Sequence, residues 1–131
     1  MNIPIQINEN SAEPLYHQIE QQLRSLIITG QIEEGTLLPS IREFASGLNC
    51  SVITVRRVYQ DLEGEGLLRT RQGTGTFVAK VDAGQRDSYR ESAVRQALAA
   101  AMDTGRSVHF TKEEMRFLFD EILSEKYGKE E

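Results

Sequence analysis

Between Leu38 and Lys80 the start and stop signals follow one another so closely that few arrangements of the chain satisfy them all. Pro39 precedes Ser40, and Ser40 with Glu43 has the spacing of a capping box, in which each residue's side chain satisfies the other's backbone N–H. A second start falls at Ser51, after which Val55, Val58, Tyr59 and Leu62 recur at i, i+3, i+4 and i+7 and predict one apolar stripe on a helix. The opposite face of that helix carries Ser51, Thr54, Arg56, Arg57 and Gln60. Gly47-Leu48-Asn49-Cys50 is a short turn between the two helices, with Leu48 as the plug. After Gly66, the runs Leu67 to Arg71 and Thr76 to Lys80 read as paired strands, and Gly73 and Gly75 provide the positive φ that a tight tip demands.

The flanking segments supply support. Ile3, Ile5 and Ile7 alternate with Pro4 and Gln6, as in a short strand or an extended arm. Pro14 suits the first turn of a helix on which Leu15, Ile19, Leu23, Leu26 and Ile27 keep helical spacing until Gly30. Beyond the hairpin, residues 82–87 form a polar break with a glycine, read as a linker. Ser88 with Glu91 repeats the capping spacing, and Val94, Ala97, Leu98, Ala101 and Met102 share one face until Asp103-Thr104-Gly105. Thr111 and Glu114 form a third capping box, with Phe110 and Met115 at the positions of a hydrophobic staple. The last stripe is Met115, Leu118, Phe119, Ile122 and Leu123, while Phe117 falls off it and Glu130 and Glu131 read as a solvated tail. The expected fold class is therefore mostly α with a small β-hairpin (α+β). A winged helix-turn-helix occupies residues 1–81, a linker 82–87 and a two-helix tail 88–131.

Charge narrows the partner. The chain of 131 residues carries a formal charge of −5, which argues against coating nucleic acid by bulk attraction. From Pro39 to Lys80, however, six basic residues stand against four acidic ones, a local +2 that leaves −7 on the rest of the chain. Positive charge thus coincides with the helix-turn-helix and hairpin. Catalysis finds no inventory: His17 and His109 are far apart, Cys50 is the single cysteine, and no H-E-x-x-H, C-x-x-C or G-x-S-x-G spacing occurs. Neither an enzyme, a metal, a cofactor nor a disulfide is expected. The start lacks the basic and apolar regions of a signal peptide, and no apolar run is long enough for a membrane span, so the expected location is cytoplasmic.

The runs Leu38 to Ala45, Ser51 to Arg57, Leu62 to Leu67 and Arg71 to Val78 resemble, in order and separation, the DNA-binding domain of GntR-family bacterial transcription regulators, over roughly Pro14 to Val81. The resemblance implies a sequence-specific regulator, a repressor acting as a homodimer on a palindromic double-stranded operator. It implies that Arg56 and Thr54 read base edges, that Ser51, Arg42 and Arg57 hold phosphates or adjacent bases beside the Ser40 cap, and that Arg71, Gln72, Gly73, Thr74 and Gly75 bring the wing to the backbone or minor groove. Val52 and Ile53 depart from the family pattern, where polar or basic residues are frequent, although aliphatic methyls can still contact a thymine methyl. The tail is similar to that of the YtrA-like branch, in which it serves dimerisation and the controlled genes often encode ATP-binding-cassette transporters. Its expected interface is Val94, Leu98, Met102, Met115, Phe117, Leu118, Phe119 and Ile122. Any small-molecule effector, of unstated identity, is expected to act through the linker or that interface. The alternative is a winged helix used for protein contacts without DNA.

Overall fold

Helix α1 (Leu15–Ile28) gives α3 a surface to fold against. Ile19, Leu23 and Ile27 on one face are almost wholly buried. Pro14 sits at the N-cap with φ −58°, the value its ring enforces, and Gly30 at φ +83° turns the chain away beyond the last turn. The computed structural model describes residues 2–128; Met1 and residues 129–131, with the expected tail carboxylates Glu130 and Glu131, lie outside the described residues. Among the described residues α2 (Ile41–Leu48), α3 (Val52–Gly64), β1 (Leu68–Arg71), β2 (Gly75–Val78), α4 (Ala83–Ser107) and α5 (Lys112–Tyr127) follow, forming two compact units that divide between Tyr89 and Arg90.

In the first unit the expected capping box closes. Ser40 Oγ accepts the Glu43 N–H at 3.1 Å, and the Glu43 carboxylate accepts the Ser40 N–H at 3.1 Å. The turn after α2 takes its left-handed residue from Asn49, φ 56°, a residue type that tolerates that conformation. Ser51 then caps α3 by accepting the Thr54 N–H at 3.1 Å. Val55, Val58, Tyr59 and Leu62 are buried as the periodicity predicts. The Tyr59 hydroxyl donates to the Pro39 carbonyl at 2.7 Å and so ties the middle of α3 to the approach of α2. Burial and the negative charge of Glu43 push the Tyr59 hydroxyl well above its usual pKa, which keeps it a neutral donor.

The hairpin pairs Leu68 with Val78 and Arg71 with Gly75, so β1 starts one residue later than expected, and β2 starts one residue earlier, at Gly75, and ends at Val78 instead of Lys80. It does not stand alone. Leu38 N–H donates to the Thr76 carbonyl at 2.9 Å, Val78 N–H to Thr36 at 3.0 Å, and Gly35 N–H to Val78 at 2.8 Å, so the segment before α2 braces β2. Residues 3–7 form an extended arm, not a strand. Ile3 is buried, and the Gln18 and Gln22 amides hold the backbones of Asn8 and Gln6 in both directions.

The tail corrects the sequence reading at three points. Residues 82–87 are not a polar break, because α4 is already helical from Ala83, with the Asp82 carboxylate accepting the Gln85 N–H at 2.8 Å in the manner of a cap. Ser88 is consequently inside the helix and forms no capping box with Glu91. Gly84 in the first turn costs only about 1 kcal/mol relative to alanine and does not stop the helix. Nor do Asp103-Thr104-Gly105 end α4, which continues to Ser107. Gly105 is buried where Met115 of α5 crosses: a Cβ there would lie 2.5 Å from the Met115 Sδ. The actual turn has His109 at φ 61°, with the Phe110 N–H returning to the Gly105 carbonyl at 2.8 Å. Thr111 and Glu114 form the expected capping box of α5.

The Tyr59 hydrogen bond yields a stability expectation. Tyr59→Phe removes the donor but leaves the Pro39 carbonyl, so urea unfolding should show a loss of about 1–3 kcal/mol with an unchanged denaturant slope.

Candidate nucleic-acid interface

The outer face of α3 is set by what its inner face must bury. Once Val55, Val58, Tyr59 and Leu62 point into the core, Ser51, Ile53, Arg56, Arg57 and Gln60 face outward. Thr54 is half-buried, its hydroxyl 2.9 Å from that of Ser51, so both hydroxyls are pre-oriented at the first turn. Val52 is also half-buried and packs against the core, which accounts for an apolar residue there without any ligand.

A groove of about 450 Å³ opens between the first turns of α2 and α3 and the tip of the hairpin. Of the expected site residues it gathers Ser40, Arg42, Val52, Arg56, Thr74 and Gly75. Ser51, Ile53, Thr54, Arg57, Arg71, Gln72 and Gly73 do not line it; Arg71, Gln72 and Gly73 are exposed at the end of the hairpin. Among the described residues neither Arg42 nor Arg56 makes an ion pair, and both are exposed. Arg57 is placed differently. Its guanidinium carbon stacks 3.6 Å from the centre of the Tyr16 ring and its Nε lies 3.9 Å from the Asp61 carboxylate, on the α1 side of the helix.

The nearby acids are turned to structural use. Glu65 takes Arg24 of α1 at 2.6 and 2.8 Å, Glu63 accepts the backbone N–H of Thr70 at 3.2 Å, and Glu43 is engaged in its capping box. The Ser40 backbone N–H and hydroxyl hold the Glu43 carboxyl below its ordinary pKa. Sequence reasoning missed Leu37 and Thr76, which also line the groove. Alternation along an extended segment was the available signal for Leu37: with Leu38 buried, its neighbour must face out.

In the second unit Leu98, Met102, Met115, Leu118, Phe119 and Ile122 line one apolar groove of about 340 Å³, together with Leu123 and Tyr127, which the expected interface omitted. Val94 and Phe117 lie off it and are exposed, Phe117 at 72%. No helix among the described residues is long and apolar enough to cross a membrane, and none of their His, Cys, Asp and Glu side chains form a metal-binding group. Burial raises the Cys50 thiol above its ordinary pKa, the opposite of what a reactive thiolate needs.

Residues 15–78 match the family model of bacterial regulatory proteins, gntR family. The HTH-type transcriptional repressor YtrA of Bacillus subtilis is 40% identical over 76 residues, 58% of this chain and 58% of that protein, so the chain spans little more than half the length of that relative. The HTH-type transcriptional regulator YhcF of the same organism is 32% identical over 105 residues, 80% of this chain and 86% of YhcF. Among solved structures, the DNA-binding domain of AraR in complex with operator ORX1 superposes with a TM-score of 0.52 at 29% identity, covering 60% of this chain and 99% of that one.

The hairpin tip can be tested without a ligand. Gly73 and Gly75 both have positive φ, 80° and 134°, but a Cβ on Gly75 would also lie 2.8 Å from Leu37 Cδ1, whereas Gly73 has open space. Gly73→Ala should therefore cost about 1–2 kcal/mol from backbone strain, and Gly75→Ala more. Leu37 is half exposed and Cδ1 is the free end of its side chain, so in a double-mutant cycle measured by chemical denaturation Leu37→Ala should recover only the steric part of the Gly75→Ala cost, leaving the part set by φ 134°, and should leave Gly73→Ala unaffected.

Proposed function

The chain belongs to the GntR family of bacterial regulatory proteins and is YtrA-like; from that premise we propose that it is a transcription regulator and not an enzyme, and that it represses transcription in the cytoplasm by binding a palindromic operator as a homodimer. The observation that carries the reading is the pair Arg42 and Arg56, exposed, without ion pairs and brought to one groove by two helix starts and the hairpin tip. An unpaired arginine beside a helix N-terminus is suited to phosphate or to the O6 and N7 acceptors of guanine.

In this reading α3 enters the major groove, with Arg56 on a base edge and Thr54 beside it. Arg42 and the Ser51 cap hold phosphates. Arg57, stacked on Tyr16, contributes from the flank, and Arg71, Gln72, Gly73 and Thr74 bring the hairpin tip to the backbone or minor groove. The second unit supplies dimerisation through the groove containing Met115, Leu118, Phe119 and Ile122, with Phe117 and Val94 at its margin. Two α3 helices related by a twofold axis then match half-sites about one helical turn apart, roughly 34 Å, or a multiple of it. A small-molecule effector would act through the tail, and kinship with the YtrA-like branch suggests control of an ATP-binding-cassette transporter operon.

Mobility-shift titration of the full chain against DNA fragments enriched from its own genome tests this directly, and absence of any enriched site would point to a protein-contact module instead. Arg56→Ala should cost about 1–3 kcal/mol on the enriched site and little on random DNA. Arg42→Ala should weaken both and reduce the salt slope by about one. A chain ending at Arg90 keeps the first unit whole. It should sediment as a monomer and lose operator affinity by orders of magnitude, as should Phe119→Asp, and a dimer with intact affinity would place the interface elsewhere.

A further inference from the structure

Ile53 is 74% exposed, the most exposed large hydrophobic side chain among the described residues. It stands at the second position of α3, three residues before Arg56 and four before Arg57, so it shares the outer, cationic face of that helix. The core makes no use of it. Val55, Val58 and Leu62 fill the inner face, and Val52 beside it packs on the core, so the two adjacent aliphatic residues have separate roles. Among the described residues of the first unit the only other exposed large hydrophobic is Leu37, at the rim of the groove that contains Arg42 and Arg56.

A lone branched aliphatic group set among arginines and serine selects its ligand by chemistry. It offers no donor or acceptor and can discriminate only by apolar contact. A ligand complementary to this face must carry dense negative charge and, within a few ångströms of it, a compact apolar group. In duplex DNA the major groove presents one such group, the C5-methyl of thymine. The stiffness of a β-branched side chain adds to the fit, because Ile53 gives up little rotamer freedom when it is covered.

We propose that Ile53 is a specificity residue that reads a thymine methyl in each operator half-site; the proposal rests on the reading above that α3 enters the major groove. Three residues of helix span about 4.5 Å, and successive bases are about 3.4 Å apart. The thymine read by Ile53 therefore lies within about two base pairs of the guanine read by Arg56.

The test uses the full chain and the duplex it enriches from random DNA. Each thymine of a half-site is replaced in turn by deoxyuridine, which removes the methyl and leaves every hydrogen-bonding group in place. One position near the Arg56 guanine should weaken binding by about fourfold, the effect of one buried methyl-sized group. Ile53→Ala should weaken binding to the thymine duplex by a similar factor or more, bind the thymine and uracil duplexes equally, and lose less affinity for random DNA than for the enriched duplex. Because the side chain is exposed, that variant should keep the parent's circular dichroism and unfolding midpoint. Indifference of the parent chain to every uracil, a half-site without thymine in that window, or an Ile53→Ala chain that still prefers thymine would each overturn the inference while leaving DNA binding intact. Failure of the parent chain to enrich any duplex would overturn the DNA reading itself, and Ile53's role with it.

Discussion

One helix has to serve two solvents. The 13 residues of α3 bury Val55, Val58, Tyr59 and Leu62 against α1 and α2 while presenting Arg56, Arg57 and Gln60 outward, and the rest of the first unit fixes that helix in rotation and depth. Rotation is set by the stripe, since turning the helix by one residue would exchange a valine for an arginine in the core. Depth is set at the ends: Ser51 closes the first turn, Tyr59 bonds to Pro39, and Arg24 of α1 grips Glu65 just past the last turn. Each fully buried aliphatic side chain is worth roughly 1.5–3 kcal/mol, so the handful on this stripe outweighs the cost of holding cationic residues side by side on its other face.

Local signals carried the fold far, and they failed where a local signal has two meanings. The capping boxes at Ser40 and Thr111 were legible because both partners lie within four residues and nothing upstream competes. Ser88 and Glu91 have the same spacing, yet Asp82 had already started the helix, and a serine inside a running helix has no free N–H to cap. Gly105 likewise reads as a stop, but its role is to let Met115 approach, a property of a residue ten positions away. In the candidate site the identity of the outward residues was legible from periodicity. That Arg57 stacks on Tyr16 while Arg56 does not was not legible, because it depends on the placement of α1, forty residues upstream. The Gln18 and Gln22 amides that hold the N-terminal arm were invisible for the same reason.

The acidic residues have two opposed relations to pH. Glu20, beside Asp61 and Arg24, has a buried carboxylate oxygen without a hydrogen-bond partner, and burial, then Asp61, raises its pKa above 4.5. A carboxyl group raised on folding favours the folded state below its unfolded value and loses that contribution as pH climbs through the folded one, so near neutrality this corner is a burden that Arg24 must offset. Glu43 is the reverse. Its pKa is lowered by the Ser40 N–H, so its contribution is present above 4.5 and disappears as pH falls through the folded value. Acid therefore relieves the α1–α3 contact and loosens the start of α2, the element that presents Arg42.

Arginine appears in three environments around α3, and the differences between them distinguish scaffold from surface. Arg24 is mostly buried and bound by two carboxylates, which raise its already high pKa further; it cannot leave without stranding Glu65 and Glu20. Arg57 spends its planar group on Tyr16 and lies within reach of Asp61, so a phosphate would have to compete with an aromatic ring and an acid. Arg56 has neither. Exposed Arg56 lines the same groove as Arg42 and forms no ion pair among the described residues, so an incoming anion has no carboxylate to displace from it. Residue type and helical phase are the same kind of information for all three. What separates them is the set of partners already present in the free protein, and of the three Arg56 is the one with no aromatic ring or carboxylate to give up before it takes an outside anion.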